Sequence, residues 1–166
     1  MSNDLPVINI ESIETLKFGQ GERFEASLGR LGPVLGMQKL GCTLVVLQPG
    51  KRAWPYHQHY GIEELFVILE GNGTIRYDGK EHEISTGDII YTPTGEGTAH
   101  QIINTSDDIL RYLALSTMES PEMCYYPDSK KYAAYSFQLD DPAGRKAFIA
   151  HEDSARDYWD GEDTAD

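Results

Sequence analysis

From residue 42 onward the apolar positions come in short runs, and each run is closed by glycine, proline, asparagine or aspartate. The first run, 42–48 (CTLVVLQ), ends at Pro49-Gly50. The next, 65–69 (LFVIL), stops at Glu70-Gly71. Asn72-Gly73 punctuates the chain before 74–77, and Asp78-Gly79, a two-residue hairpin signal, leads to 82–84. Gly87-Asp88 turns into 89–92, 93–97 (PTGEG) reads as a long turn, and 99–104 and 109–117 read as two further strands. Runs this short, β-branched and aromatic, with almost no helical period, predict an all-β sandwich or barrel. Before the first run, 5–10 and 13–18 are patterned pieces cut by Gly19-Gln20-Gly21, which suits an arm with an edge strand or two. The glycine-rich 31–41, with Pro33, predicts a bent strand or loop. Beyond Met118 tyrosines cluster, 132–139 predicts one more strand, and 151–166 is an acidic end. Tyr158 and Trp159 either sit in solvent there or pin that end to the body or to a second subunit. No linker interrupts 30–118 and no repeat is visible, so one domain is expected over 1–166.

Composition narrows the function classes. A length of 166 residues suits one domain with a sizeable core. A formal charge of −13 argues against nucleic acid and against an anionic membrane surface, and weakly against a strongly anionic substrate. No apolar run is long enough to span a bilayer, and the first residues lack the basic start and apolar block of a signal peptide. Cys42 and Cys124 are far apart and in no CxxC, which predicts two free thiols in a reducing, cytoplasmic setting. Asn104-Thr105-Ser106 matches a glycosylation sequon and is read as a turn.

Candidate chemistry gathers between Gly50 and Gly71. His57 and His59 are two apart, so on a strand both side chains leave the same face. Glu64 opens the apolar run that follows. A hairpin bringing Glu64 level with the histidines would gather two imidazoles and one carboxylate around one point, a set of metal ligands. His100, at the start of a later run, is a fourth candidate. No Ser-His-Asp set, phosphate-cradling loop or dinucleotide fingerprint is present.

These residues resemble the two motifs of the cupins. Gly50, His57, His59, Glu64 and Gly71 are similar to the first, and Gly87, Pro93, Gly95, His100 and Asn104 to the second. Two gaps differ from the common form: Gly50 to His57 is one residue longer, and Glu96-Gly97 looks like a small insertion before His100. With its flanking strands the resemblance extends over about 40–117, leaving an N-terminal arm 1–39 and a C-terminal extension 118–166. It implies a double-stranded β-helix, or jelly-roll, barrel. It also implies one divalent metal ion (manganese, iron, zinc or nickel) held by His57, His59, Glu64 and His100. Glu63 is the competing carboxylate. Glu64 is preferred for its spacing to Gly71, and because adjacent strand residues face opposite ways. Three neutral imidazoles and one carboxylate leave a singly positive Lewis acid with open positions.

The expected function is metal-dependent isomerase or epimerase chemistry on a sugar or sugar phosphate. The alternatives are an iron-dependent dioxygenase and a non-catalytic small-molecule-binding module. Glu96 and Tyr91, beside the second motif, are candidate acid–base groups. Arg52, Arg76 and Arg111 are candidate contacts for a substrate anion. Trp54 and Tyr56 line the mouth or pack in the core, and His82 and His151 are expected in solvent. Arms with little core of their own predict a homodimer.

Overall fold

In the computed structural model, residues 7–136 and 146–164 are described. In chain order the strands are β1 (Leu16–Gln20), β2 (Phe24–Arg30), β3 (Leu40–Leu47), β4 (Gln58–His59), β5 (Glu64–Glu70), β6 (Asn72–Tyr77) and β7 (Lys80–Ser85). They continue with β8 (Ile89–Thr92), β9 (His100–Ile103), β10 (Leu110–Thr117), β11 (Glu122–Tyr126), β12 (Lys131–Ser136) and β13 (Lys146–His151). One six-stranded sheet runs β1-β2-β3-β10-β5-β8. A four-stranded sheet, β13-β12-β11-β4, and a three-stranded one, β7-β6-β9, complete the set. All pairings between these strands are antiparallel. The architecture is a jelly roll.

Alternation explains the core. On β5 the inward set is Glu64, Phe66 and Ile68, and Phe66 and Ile68 are buried. They meet Val45 and Leu47 of β3, Leu110 and Tyr112 of β10, and Ile75, Ile84 and Ile102 of the three-stranded sheet in one cluster. Burying several large apolar side chains at roughly 1.5–3 kcal/mol each is the main force closing the sheets on one another. Glu64 is the polar end of that inward row, so the row itself delivers a carboxylate to one end of the cavity.

Most predicted strands are present, with three differences. The glycine-rich 31–41 is not all loop: Leu31–Leu35 forms a short helix. Pro33 fits its first turn, and Gly36 ends it in the left-handed conformation at φ 67°. Asn72-Gly73 is not a turn but the start of β6; the chain bends at Gly71, at φ 85°, as it passes from one sheet to the other. The run 122–126, unassigned in the sequence, is β11, which lies between β4 and β12. Residues 5–6 and 137–139 of two expected elements lie outside the described residues. Asp78-Gly79 turns as expected, both residues at positive φ.

Gly71 also has a packing reason to be glycine. A Cβ there would collide with the carbonyl oxygen of Ile109 and lie 3.1 Å from its carbon. Gly71→Ala is therefore expected to lose about 2–4 kcal/mol from backbone strain and collision together. A urea titration in which the variant keeps the wild-type midpoint would contradict this.

Candidate metal centre

His57 and His100 are brought together by backbone. His57 N–H donates to the His100 carbonyl at 3.2 Å and His100 N–H donates back to the His57 carbonyl at 2.8 Å. Residues paired this way across antiparallel chain point to the same face, and their rings stand 4.8 Å apart. His59, two residues on, shares that face, 4.8 Å from the ring of His57.

Glu64 arrives by a different route from the one the spacing suggested. No hairpin joins the histidines to Glu64. β4 pairs with β11, whereas β5 pairs with β10 and β8, so residues 60–63 cross from one sheet to another. That crossing is anchored by buried Ile62 and by Glu63 N–H donating to Thr117 Oγ1 at 3.0 Å. The carboxylate of Glu64 lies 2.8 Å from His100 Nε2 and 3.3 Å from His59 Nε2. One ligand atom each from His57, His59, Glu64 and His100 can be chosen so that all lie within 4.8 Å of one another. The competing Glu63 faces outward and accepts the Tyr91 hydroxyl at 2.8 Å.

The donor set fits a divalent ion. His57 Nδ1–H donates to the Pro55 carbonyl at 2.8 Å, and His100 Nδ1–H to the Thr98 carbonyl at 3.1 Å. Carbonyls only accept, so in both rings Nδ1 carries a proton and Nε2 is the nitrogen turned toward the centre. His59 Nδ1 faces Glu122 Oε1 at 3.0 Å, and its Nε2 is buried with no hydrogen-bond partner. A buried ring nitrogen without a partner, aimed at a carboxylate and two imidazoles, suits a metal ligand. Burial, with His100 and His59 adding to it, lowers the His57 pKa to about 3, which keeps that imidazole neutral. Burial also disfavours a charged His59, but bonds to Cys124 and Glu122 and the nearby Glu64 carboxylate outweigh it and push its pKa up to about 12. Burial opposes charge on Glu64 too, yet the hydrogen bond with His100 and the His59 imidazole close by hold it well below the usual carboxylate range.

A second layer, missed in reading the sequence, stands behind His59. Glu122 and Cys124 of β11 are both 2% exposed. Cys124 Sγ is 3.2 Å from His59 Nδ1, and the ring of Tyr126 stacks on His57 at 5.9 Å. The available signal was period two: Glu122, Cys124 and Tyr126 alternate with Met123 and Tyr125, so one face of a strand carries all three.

The remaining candidates separate. Tyr91 is not brought to the four ligands: it pairs with Leu65, on the face opposite Glu64, and is 53% exposed. Glu96 is exposed on the 93–99 loop, whose Gly95 N–H donates to the His59 carbonyl at 2.7 Å. Arg76 is held by Asp128 through bonds of 2.7 and 2.9 Å and covers the Tyr56 ring. Arg111 is held by Glu70 and Glu11. Arg52 keeps a buried Nε without a hydrogen-bond partner. Tyr56 is buried, its hydroxyl accepting Gly79 N–H, and Trp54 packs against the core. His82 and His151 are exposed, as expected. Tyr158 and Trp159 contact each other and are largely exposed. Asn104, in the apparent sequon, is fully buried, and its Oδ1 accepts Ser106 N–H at 3.1 Å, the hydrogen bond of an Asx turn. Cys42 and Cys124 are free thiols. Among the described residues no helix is long and apolar enough to cross a membrane.

Comparison with known proteins agrees with the fold. The family profile described as Cupin domain matches residues 43–116. The oxalate-binding protein of Thermotoga maritima is 32% identical over 108 residues, 65% of this chain and 86% of that one. A cupin-superfamily sugar phosphate isomerase from Silicibacter pomeroyi superposes with a TM-score of 0.75 at 26% identity, covering 93% of this chain and 98% of that one. A proposed sugar phosphate isomerase from Acidithiobacillus ferrooxidans superposes with a TM-score of 0.77 at 20% identity, covering 91% and 95%, and so shares the fold.

Proposed function

The chain belongs to the cupin family, and we propose that it is a metal-dependent cupin enzyme that isomerises or epimerises a small sugar or sugar phosphate. The observation that carries the metal half is the convergence of His57, His59, Glu64 and His100. The observation that favours the reaction class is the likeness to the Silicibacter pomeroyi isomerase over nearly the whole of both chains.

One divalent ion held by these four side chains would supply Lewis-acid polarisation of a substrate oxygen. The chain's own residues do the rest. His57 and His100 are fixed by carbonyls behind them, so their Nε2 atoms stay directed at the centre. Ser116 is paired in register with Glu64 and shares its face, with Gly41 beside it. Glu96 is the proposed proton carrier. Its loop is tied to the His59 backbone through Gly95 N–H. Tyr91 has no part in this scheme, because it faces away.

The test is solvent exchange. Protein loaded in turn with manganese, zinc, nickel and iron is incubated with aldose and ketose phosphates in deuterium oxide. Deuterium at C2 of one of them is expected, and its loss in Glu96→Gln. No exchange with any loaded form would remove the isomerase reading.

A second reading rests on the 32% identity to an oxalate-binding protein: a binder that docks a small dicarboxylate on the ion. It predicts a melting temperature raised by oxalate and oxalate recovered unchanged.

Ion binding should also release protons. A hydrogen bond between His100 Nε2 and Glu64 Oε2 requires a proton between two atoms that both become ligands. Calorimetric titrations in buffers of different ionisation enthalpy should give different heats, with affinity rising as pH rises. Identical heats in all buffers would count against that ligand pair.

We also infer a homodimer. Edge strand β1 leaves Leu16 75% and Phe18 43% exposed, and a second copy covering that edge would bury them. Elution at monomer mass at micromolar concentration would refute it.

A further inference from the structure

We propose that Glu122 is a positioning residue of the centre, holding His59 through its Nδ1–H so that Nε2 is presented to a metal ion. This rests on the metal-binding reading above and goes beyond it, because Glu122 lies in the C-terminal extension, outside both motifs.

The three histidines are not supported alike. His57 is held by the carbonyl of Pro55 and His100 by the carbonyl of Thr98, each two residues earlier in the chain. The same device would give His59 the carbonyl of His57. That carbonyl is already bonded to His100 N–H at 2.8 Å, in the pairing that brings the two rings together. His59 therefore takes its acceptor from far along the chain, the carboxylate of Glu122, at 3.0 Å.

Glu122 is built into place. Its side chain is 1% exposed. Oε2 accepts Gly61 N–H at 2.9 Å, and Oε1 accepts Tyr60 N–H at 3.3 Å besides the imidazole. The Cys124 thiol donates to Oε1 at 3.7 Å and, at 3.2 Å from Nδ1, helps to keep water from the ring. A buried carboxylate is tolerated only when its lone pairs are used, and here they are. β11 sets the position, since Cys124 pairs with His59 and Tyr125 with Gln58. One carboxylate thus fixes both the His59 ring and the first residues of the crossing that leads to Glu64. A charged acceptor behind an imidazole also makes its other nitrogen a stronger donor than a carbonyl does. His59 would be the most basic of the three imidazole ligands.

The alternative is that Glu122 only satisfies two backbone amides. A double-mutant cycle separates the two roles. Zinc affinity is measured by competition with a chromophoric chelator for the wild type, Glu122→Gln, His59→Ala and the double variant, well below their melting temperatures. Glu122→Gln should weaken zinc binding about 10–100-fold. In the His59→Ala background the same change should have almost no further effect, because the ring through which it acts is gone. Equal losses in both backgrounds, or no loss in either, overturn the proposal.

Should Glu122→Gln not fold, the zinc-loaded wild type decides by ring-nitrogen NMR. His59 is expected to show a metal-bound Nε2 and a protonated Nδ1. Ligation through Nδ1, or an Nδ1 without a proton, overturns the proposal. Failure of the wild type to take up zinc overturns the metal reading and this inference together. Uptake with an unchanged Glu122→Gln overturns this inference alone.

Discussion

The His57→Ala, His59→Ala double variant is expected to fold and to hold almost no metal, where the wild type holds close to one ion per chain. Four-ligand sites of this kind bind with roughly 10–16 kcal/mol, or about 2.5–4 kcal/mol per ligand on an even division. Two lost ligands should then weaken binding by at least about 10³-fold. The remaining pair, Glu64 and His100, cannot compensate. They are 2.8 Å apart, and in the variant they are free to pair with each other. The fold should suffer less. His57 is only half-buried, and the main core cluster contains neither histidine. His59→Ala does leave Glu122 without one of its donors, but Tyr60 N–H and Gly61 N–H remain. A stability loss of about 1–3 kcal/mol is expected from that. Elemental analysis of both proteins, purified without a tag, is the measurement. Equal metal in the two would mean that these imidazoles are not ligands. Near-stoichiometric iron in the wild type would bring the dioxygenase alternative ahead of the isomerase.

How far the centre could be read from sequence depends on how local each contact is. The same-face placement of His57 and His59 follows from strand period alone. The choice of Glu64 over Glu63 needed the spacing to Gly71 as well, because alternation says only that the two point opposite ways, as they do in the structure. What could not be read is how the pieces reach one another. The spacing of His59 and Glu64 suits a hairpin as well as a sheet-to-sheet crossing. Only the long-range pairings of β4 with β11 and of β5 with β10 distinguish the two. Glu122 and Cys124 were invisible for a related reason. Their meaning lies in a contact with His59 some 63 and 65 residues away, and nothing local to them announces it. Tyr91 shows the converse error. Closeness in sequence to the second motif suggested a role, and alternation along β8 turned the side chain outward.

Asn104 carries the other large expected effect, and it is an effect on stability alone. The residue belongs to the second motif, yet it lies outside the four-ligand cluster. Its Nδ2 donates to the carbonyls of Leu47 at 2.9 Å and Asp108 at 2.8 Å, and its Oδ1 accepts Ser106 N–H at 3.1 Å and the Ser106 hydroxyl at 2.8 Å. Its backbone exchanges bonds with Gly50 and Lys51. One fully buried amide thus joins the end of β3, the end of β9 and the approach to β10, using its whole side-chain capacity. Asn104→Ala removes the donor to the carbonyl of buried Leu47, one of two donors to that of Asp108, and the acceptor of Ser106 N–H. At about 1–3 kcal/mol for each unsatisfied group, a loss of about 3 kcal/mol or more is expected. For a chain of this size that lowers the melting temperature by about 6–12 °C. Asn104→Asp should be worse, although it changes one atom. The new oxygen would face two carbonyl oxygens, and the charge would be buried beside no cation. Metal content should stay at the wild-type level in whatever fraction of either variant is folded. A melting curve in which aspartate is tolerated better than alanine would contradict the hydrogen-bond assignment. A folded Asn104→Ala that has lost its metal would mean instead that this amide acts on the centre.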